Sequence, residues 1–118
     1  MPEPMTPDKA ARLFAELGNR TRLEILRLLI KGGPRGLAIS EVQKQLDIPA
    51  STLAFHLNGL VRVELVGQEK RGRVVLCRPC VPALDAAMDF LRDGCCTAAT
   101  PGQSPQTEAG LSRSGLPE

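Results

Sequence analysis

Apolar residues recur with helical spacing over the first part of the chain. In the first stretch they form one stripe at Ala10, Leu13, Phe14 and Leu17. Thr6 suits a helix cap, Pro7 suits the first helical position, and Gly18 suits the end of the helix. Asn19 can cap a second helix that runs to about Lys31. That helix is apolar on most sides, which predicts a place in the middle of the domain.

Two short helices joined by a tight turn are predicted next. Ser40-Glu41-Val42-Gln43 has the form of a capping box, with a hydroxyl at the cap and Gln three residues later. Pro49 then starts a helix whose apolar stripe is Leu53, Leu57 and Leu60. A short helix, a turn and a second helix with polar side chains is the layout of a helix-turn-helix.

After Val63 the pattern changes from helix to strand. Two short β-prone runs flank residues 67–73, where Gly72 suits a hairpin turn. Lys70, Arg71 and Arg73 cluster at the tip. Such a tip can be a solvated turn. Because it directly follows the second helix of the predicted helix-turn-helix, contact with DNA phosphates is the better explanation.

A last helix is predicted from the two prolines Pro79 and Pro82 to Gly94. Its apolar positions are Val81, Leu84, Met88 and Leu91, with Ala87 and Phe90 alongside. The other helices already supply a core, so this stripe and the first helix are predicted to pair across a dimer interface. The alternative is that both pack onto their own core.

The length and composition of the chain indicate one small domain. The chain has 118 residues, no Trp or Tyr, and a net charge of +2, which is too small to indicate nucleic acid by itself. No apolar run suggests a signal peptide or membrane span, so we expect a cytoplasmic protein with its four cysteines as thiols or metal ligands. Residues 97–118 have almost no apolar periodicity and are predicted to be a disordered tail after a domain of residues 1–96.

These elements resemble the ArsR/SmtB family of winged-helix repressors. Residues 17–29, Leu-Gly-Asn-Arg-Thr-Arg-Leu-Glu-Ile-Leu-Arg-Leu-Leu, are similar to the family signature around its second helix. Ser51-Thr52-Leu53-x-x-His56-Leu57-x-x-Leu60 resembles its recognition helix, and Lys70-Arg71-Gly72-Arg73 resembles its wing. The match spans about residues 7–93. It implies a mainly α, homodimeric winged helix-turn-helix with five helices and a two-stranded wing.

The resemblance implies a repressor that binds a near-palindromic operator in double-stranded DNA and leaves it when a metal or metalloid ion binds. The residues carried over for DNA binding are Ser51, Thr52, His56, Asn58, Arg71 and Arg73. His56 has an alternative role, a structural hydrogen bond that orients the helix. Phe55 departs from the family, where many members carry a polar or basic residue at this position.

Candidate inducer ligands are the adjacent thiols Cys95 and Cys96. Vicinal thiolates chelate soft centres such as trivalent arsenic or antimony. The family's Cys-x-Cys arsenic site on the third helix is absent here, and His56 is the only histidine. Arsenite takes three sulfurs, so Cys77, Cys80 or an exogenous thiol could supply the third, whereas methylarsenite needs only two.

Two other functions stay open at this point. Oxidation of Cys95 with Cys96, or of Cys77 with Cys80, would make the protein a thiol-redox sensor. All four thiols together could instead hold zinc, giving a zinc-responsive repressor or a zinc-stabilised interaction module. An enzyme is not expected, because the chain has one His, no nucleophile–base pairing and no phosphate loop.

Overall fold

Residues 4–93 are described by the computed structural model of the chain, and they form five helices and a three-stranded sheet. In chain order the elements are α1 Pro7–Leu17, α2 Arg20–Gly32, β1 Leu37–Ala38, α3 Ile39–Leu46, α4 Ala50–Arg62, β2 Val66–Arg71, β3 Val74–Pro79 and α5 Val81–Arg92. The fold class is the predicted one, a winged helix-turn-helix. The predicted tail at 97–118 and the thiols of Cys95 and Cys96 lie outside the described residues.

Side-chain caps start the first two helices as predicted. The backbone N–H of Lys9 donates to Thr6 Oγ1 at 3.2 Å, and that of Arg22 donates to Asn19 Oδ1 at 3.1 Å. The predicted capping box at Ser40 is wrong. The helix cap is Ala38, two residues before Ser40, so α3 begins at Ile39 rather than at Glu41. Ala38 is also the last residue of β1, so the strand leads directly into the helix.

A short strand that the sequence pattern did not reveal joins the helix-turn-helix to the wing. Leu37 pairs with Cys77 and Ala38 pairs with Leu76, so the sheet order is β1-β3-β2. The wing is the predicted two-stranded hairpin of β2 and β3, and β1 adds a third strand to the sheet. Two residues are too few to show an alternating pattern. Gly36 permits this pairing, since it has φ +83° and a Cβ there would lie 2.7 Å from the carbonyl oxygen of Cys77.

The core lies where α2, α4 and the sheet meet. Its largest fully buried side chains are Ile25, Leu29, Val42, Leu53, Leu57, Leu60, Leu65 and Cys77. All three members of the predicted α4 stripe are therefore buried, as expected. The burial of this stripe orients α4, because it leaves the opposite face of the helix exposed.

The apolar residues of α5 divide between two surfaces. Ala87 is buried, and Ala83 and Leu84 pack against the core. Val81, Met88 and Leu91 remain exposed, at 38%, 44% and 69%. The apolar stripe of α1 was predicted to pair with the last helix across a dimer interface. Two of its residues, Ala10 and Leu13, are instead buried within the domain, as in the alternative arrangement. The apolar surface left uncovered on this side thus belongs to α5.

None of the helices within residues 4–93 combines the length and apolar character needed to cross a membrane.

Candidate nucleic-acid interface

Helices α3 and α4 form the helix-turn-helix that the sequence predicts. A turn of residues 47–49 joins them, and Asp47 in it takes the left-handed conformation at φ 53°. The backbone N–H of Asp47 donates to the carbonyl oxygen of Gln43 at 2.8 Å, which closes α3. This arrangement presents one face of α4 to solvent, formed by Ser51, Ala54, Phe55, Asn58 and Arg62.

The predicted DNA-binding residues of α4 occupy two different environments. Ser51 and Asn58 lie on the exposed face, where a hydroxyl and an amide can contact base edges or phosphates. Thr52 and His56 are half-buried at its border. Of these four residues, only Ser51 and Asn58 are fully exposed. Their roles in binding DNA stay predictions.

A largely buried arginine joins three helices behind that face. Arg22 of α2, whose side chain is 11% exposed, forms an ion pair with Glu16 of α1. Its Nε also donates to His56 Nδ1 at 3.1 Å, and its guanidinium carbon lies 5.4 Å from the centroid of the Phe55 ring. One guanidinium therefore holds two neighbouring side chains of α4 in position.

The hydrogen bond from Arg22 determines the state of the His56 ring. Because Nδ1 accepts a hydrogen bond from a cation, it carries no proton, and the neutral ring has its proton on Nε2. Burial, together with the charge of Arg22, lowers the pKa of His56 from its usual value. The ring is thus neutral at pH 7, with Nε2–H as its remaining donor. The hydrogen bond on which the alternative structural role of His56 depends is therefore present, while its predicted role in DNA binding stays a prediction.

The sequence pattern did not identify Arg22 as a residue of the site. Its position was a sign that its side chain faces the interior, because Arg22 lies on the same stripe of α2 as the buried Ile25, Leu26 and Leu29. A second signal was a glycine inside α4. A Cβ on Gly59 would lie 2.6 Å from the Arg22 guanidinium and 2.7 Å from Glu16 Oε1, so this glycine leaves the space that the ion pair fills.

The wing carries the predicted basic tip. Strands β2 and β3 are joined by Gly72 and Arg73, with Gly72 at φ +61° in the first position of a two-residue turn. Arg71 donates to Glu69 Oε2 at 2.8 Å, and Arg78 pairs with Glu69 Oε1 at 2.7 Å. These arginines lower the pKa of Glu69, whose charge therefore offsets part of that of Arg71. Within residues 4–93, Arg73 has no ion-pair partner.

We expect Arg73→Ala to weaken binding to all DNA duplexes to a similar degree. Loss of one phosphate contact should lower the slope of log affinity against log salt by about one unit. Arg71→Ala should lower the slope less, because Glu69 already neutralises part of that charge. Fluorescence anisotropy titrations at several salt concentrations would measure both slopes.

Arg12→Ala is the matched control for this measurement, because Arg12 is an exposed arginine on α1, outside the α4 face and the wing. It should leave the slope unchanged. Loss of affinity for some duplex sequences only, in the Arg73 variant, would contradict a phosphate role.

The described cysteines occupy different environments. Cys77 is fully buried, and Gln68 Nε2 donates to its sulfur at 3.9 Å. Burial raises the pKa of the Cys77 thiol, which disfavours the thiolate that metals bind. Cys80 is half-buried directly before α5. Residues 4–93 contain no group of three or more His, Cys, Asp or Glu side chains that could hold a metal ion.

The helix-turn-helix, the exposed α4 face and the basic wing define a DNA-binding protein of the winged helix class. Comparison with known proteins agrees with that conclusion. A protein family described as a helix-turn-helix domain matches residues 17–69. An HTH-type transcriptional regulator of Methanocaldococcus jannaschii, MJ1325, is 35% identical over 65 residues, which are 55% of this chain and 71% of the relative.

Solved structures identify the family. An ArsR-like transcriptional regulator from Rhodococcus sp. RHA1 is 30% identical and superposes with a TM-score of 0.63, covering 72% of this chain and 77% of that one. A homodimeric winged helix-turn-helix DNA-binding domain from Mycobacterium bovis, described as a possible ArsR-family regulator, is 25% identical with a TM-score of 0.59. That match covers 72% of this chain and 83% of the other. The chain belongs to the ArsR/SmtB-type winged-helix transcriptional regulators, which confirms the resemblance seen in its sequence.

Proposed function

We propose that the protein is a repressor that binds operator DNA as a homodimer and releases it when trivalent arsenic or antimony binds Cys95 and Cys96. The observation that carries the DNA-binding part is the α4 face, which leaves Ser51 and Asn58 exposed in a domain that also has an exposed basic wing tip. A recognition helix enters the major groove through such a face, while basic side chains of the wing contact phosphates.

The homodimer is supported by the outer surface of α5. Met88 and Leu91 are exposed in the structure of residues 4–93. In a dimer with a two-fold axis, this surface of one protomer would pack against the same surface of the other. Such a dimer presents two α4 helices to two half-sites about one turn of DNA apart. The solved Mycobacterium bovis relative is homodimeric, which agrees with this arrangement.

The inducer site is proposed from the chemistry of adjacent thiols. Cys95 follows Arg92, the last residue of α5, by three positions, so a metalloid bound there lies next in the chain to the dimer helix. Cys80 stands before the opposite end of α5, which is 12 residues and about 18 Å long. The buried Cys77 is disfavoured as a thiolate. Both facts favour chelation by Cys95 and Cys96 with an exogenous third ligand, or by these two thiols alone with methylarsenite.

The test begins with duplexes selected by the protein from a randomised DNA pool. Anisotropy of the selected duplex is then followed as arsenite, antimonite, methylarsenite, zinc or peroxide is added. We expect release by the trivalent metalloids and no release by peroxide. Release by peroxide only would assign the thiol-redox function instead, and release by zinc only would assign the zinc-responsive one.

We expect the double variant Cys95→Ser, Cys96→Ser to bind the selected duplex with wild-type affinity and to stay bound in arsenite. Serine keeps the size of the side chain but removes the soft sulfur donor. Cys80→Ser is the control and should still be released. Release of the double variant by arsenite would overturn the assignment of these two thiols.

A further inference from the structure

An aromatic ring stands in the middle of the α4 face that is proposed to enter DNA. Phe55 is 62% exposed. The other two phenylalanines of the chain differ, because Phe14 packs against the core and Phe90 is half-buried. On the same face Ala54 adds a methyl group beside the ring, and Ser51 and Asn58 lie one turn away on either side.

The surroundings of the ring hold it in one place. The Arg22 guanidinium lies 5.4 Å from the ring centroid, and His56 meets the ring at 5.3 Å with an interplanar angle of 68°, an edge-to-face contact. Arg22 is itself held by its ion pair with Glu16. The ring is therefore supported from inside the domain while most of its surface faces outward. A side chain fixed in this way loses little conformational entropy when it binds a partner.

We propose that Phe55 reads the 5-methyl groups of thymines in the major groove and so determines part of the operator sequence. This inference rests on the proposed function, in which α4 enters that groove. Thymine is the only standard base with a methyl group on its major-groove edge, and apolar side chains recognise it by direct contact. The other bases present hydrogen-bonding groups there, which a hydrocarbon ring would strip of water without replacing the lost hydrogen bonds.

The polar neighbours of the ring fit the same assignment. Asn58 can form a paired hydrogen bond with an adenine edge, and Ser51 can contact a base or phosphate. Thymine contact by Phe55 and adenine contact by Asn58, one helical turn apart on the same face, predict half-sites rich in A·T pairs. A second copy of the chain is a less suitable occupant, because a hydroxyl and an amide border the ring and the larger apolar surface is on α5.

The experiment uses the duplex that the full chain selects from a random pool. Each thymine of the half-sites is replaced in turn by uracil, which removes the methyl group and keeps the base pair. At one or two positions per half-site, wild-type affinity should fall about threefold to fivefold, the transfer value of one methyl group. The variant Phe55→Ala should bind the thymine and uracil duplexes equally at those positions.

Two variants control for indirect effects. Phe55→Leu keeps an apolar contact and should retain part of the sensitivity to uracil. Asn58→Ala should keep the full sensitivity at the Phe55 positions while losing base preference elsewhere.

The outcomes separate this inference from the proposed function. If the wild-type protein selects a duplex but binds every uracil form equally well, the role of Phe55 is wrong and the proposed function stands. If the wild-type protein selects no duplex, the proposed function is wrong, and the role of Phe55, which rests on it, is wrong as well. A change in oligomeric state caused by Phe55→Ala, measured by sedimentation, would assign the ring to a protein contact and overturn the inference.

Discussion

Arg22→Ala is expected to lower both the stability of the fold and its affinity for DNA. The substitution leaves Glu16 without its ion-pair partner and His56 without its hydrogen-bond donor, in a site where the arginine is only 11% exposed. Removal of one partner from such a partly buried pair should reduce the free energy of unfolding by about 2–4 kcal/mol. Urea unfolding followed by circular dichroism measures this change.

The loss of DNA affinity has a separate cause and a separate measurement. Without Arg22 the rings of His56 and Phe55 lose their support, so affinity for the selected duplex should fall at least about tenfold even at low temperature, where the variant stays folded. Arg22→Lys should give an intermediate loss, since an ammonium group can keep the charge but not the fixed donor geometry of the guanidinium.

Arg20→Ala is the matched control on the same helix. Its side chain is 91% exposed and pairs with Glu24 at 3.6 Å, an exposed pair whose removal costs at most about 1 kcal/mol. It should behave like the wild-type protein in unfolding. Equal stability of the Arg20 and Arg22 variants would show that the partly buried ion pair of Arg22 with Glu16 does not stabilise the fold.

Met88→Asp is expected to separate the two subunits of the proposed dimer. Met88 is 44% exposed within its own protomer, so the change should leave the folded subunit intact. At a two-fold interface it would bury two unpaired carboxylates, each one helical turn from Asp85 of its own α5. We expect the dimer dissociation constant to rise at least about 100-fold, and sedimentation velocity would measure it.

DNA binding should fail together with the dimer. A monomer holds one half-site and loses the high effective concentration that links the second one, so affinity should fall about 100-fold to 1000-fold. Ile30→Asp is the control, because Ile30 is similarly exposed, at 40%, but lies at the end of α2 rather than on α5. A Met88 variant that remains dimeric would move the interface to another surface.

The sequence by itself determined the elements that have long or regular patterns. The caps at Thr6 and Asn19 are hydrogen-bonded as expected, and Leu53, Leu57 and Leu60 are buried. These features are local, because a cap needs only the next three residues and a stripe needs only the helical period. The wing tip was predictable for the same reason, as glycine and charged residues meet in a short turn.

Only the tertiary structure decided the features that depend on distant parts of the chain. Pairing of Leu37 with Cys77 created β1 and moved the start of α3 away from the predicted cap at Ser40. The contact of Arg22 with His56 joins residues 34 positions apart, and no local pattern encodes it. That contact orients the neutral ring of His56, and the same guanidinium packs against the ring of Phe55 on the α4 face. A largely buried guanidinium requires polar partners, and the packing of α1, α2 and α4 determines which side chains are close enough to provide them.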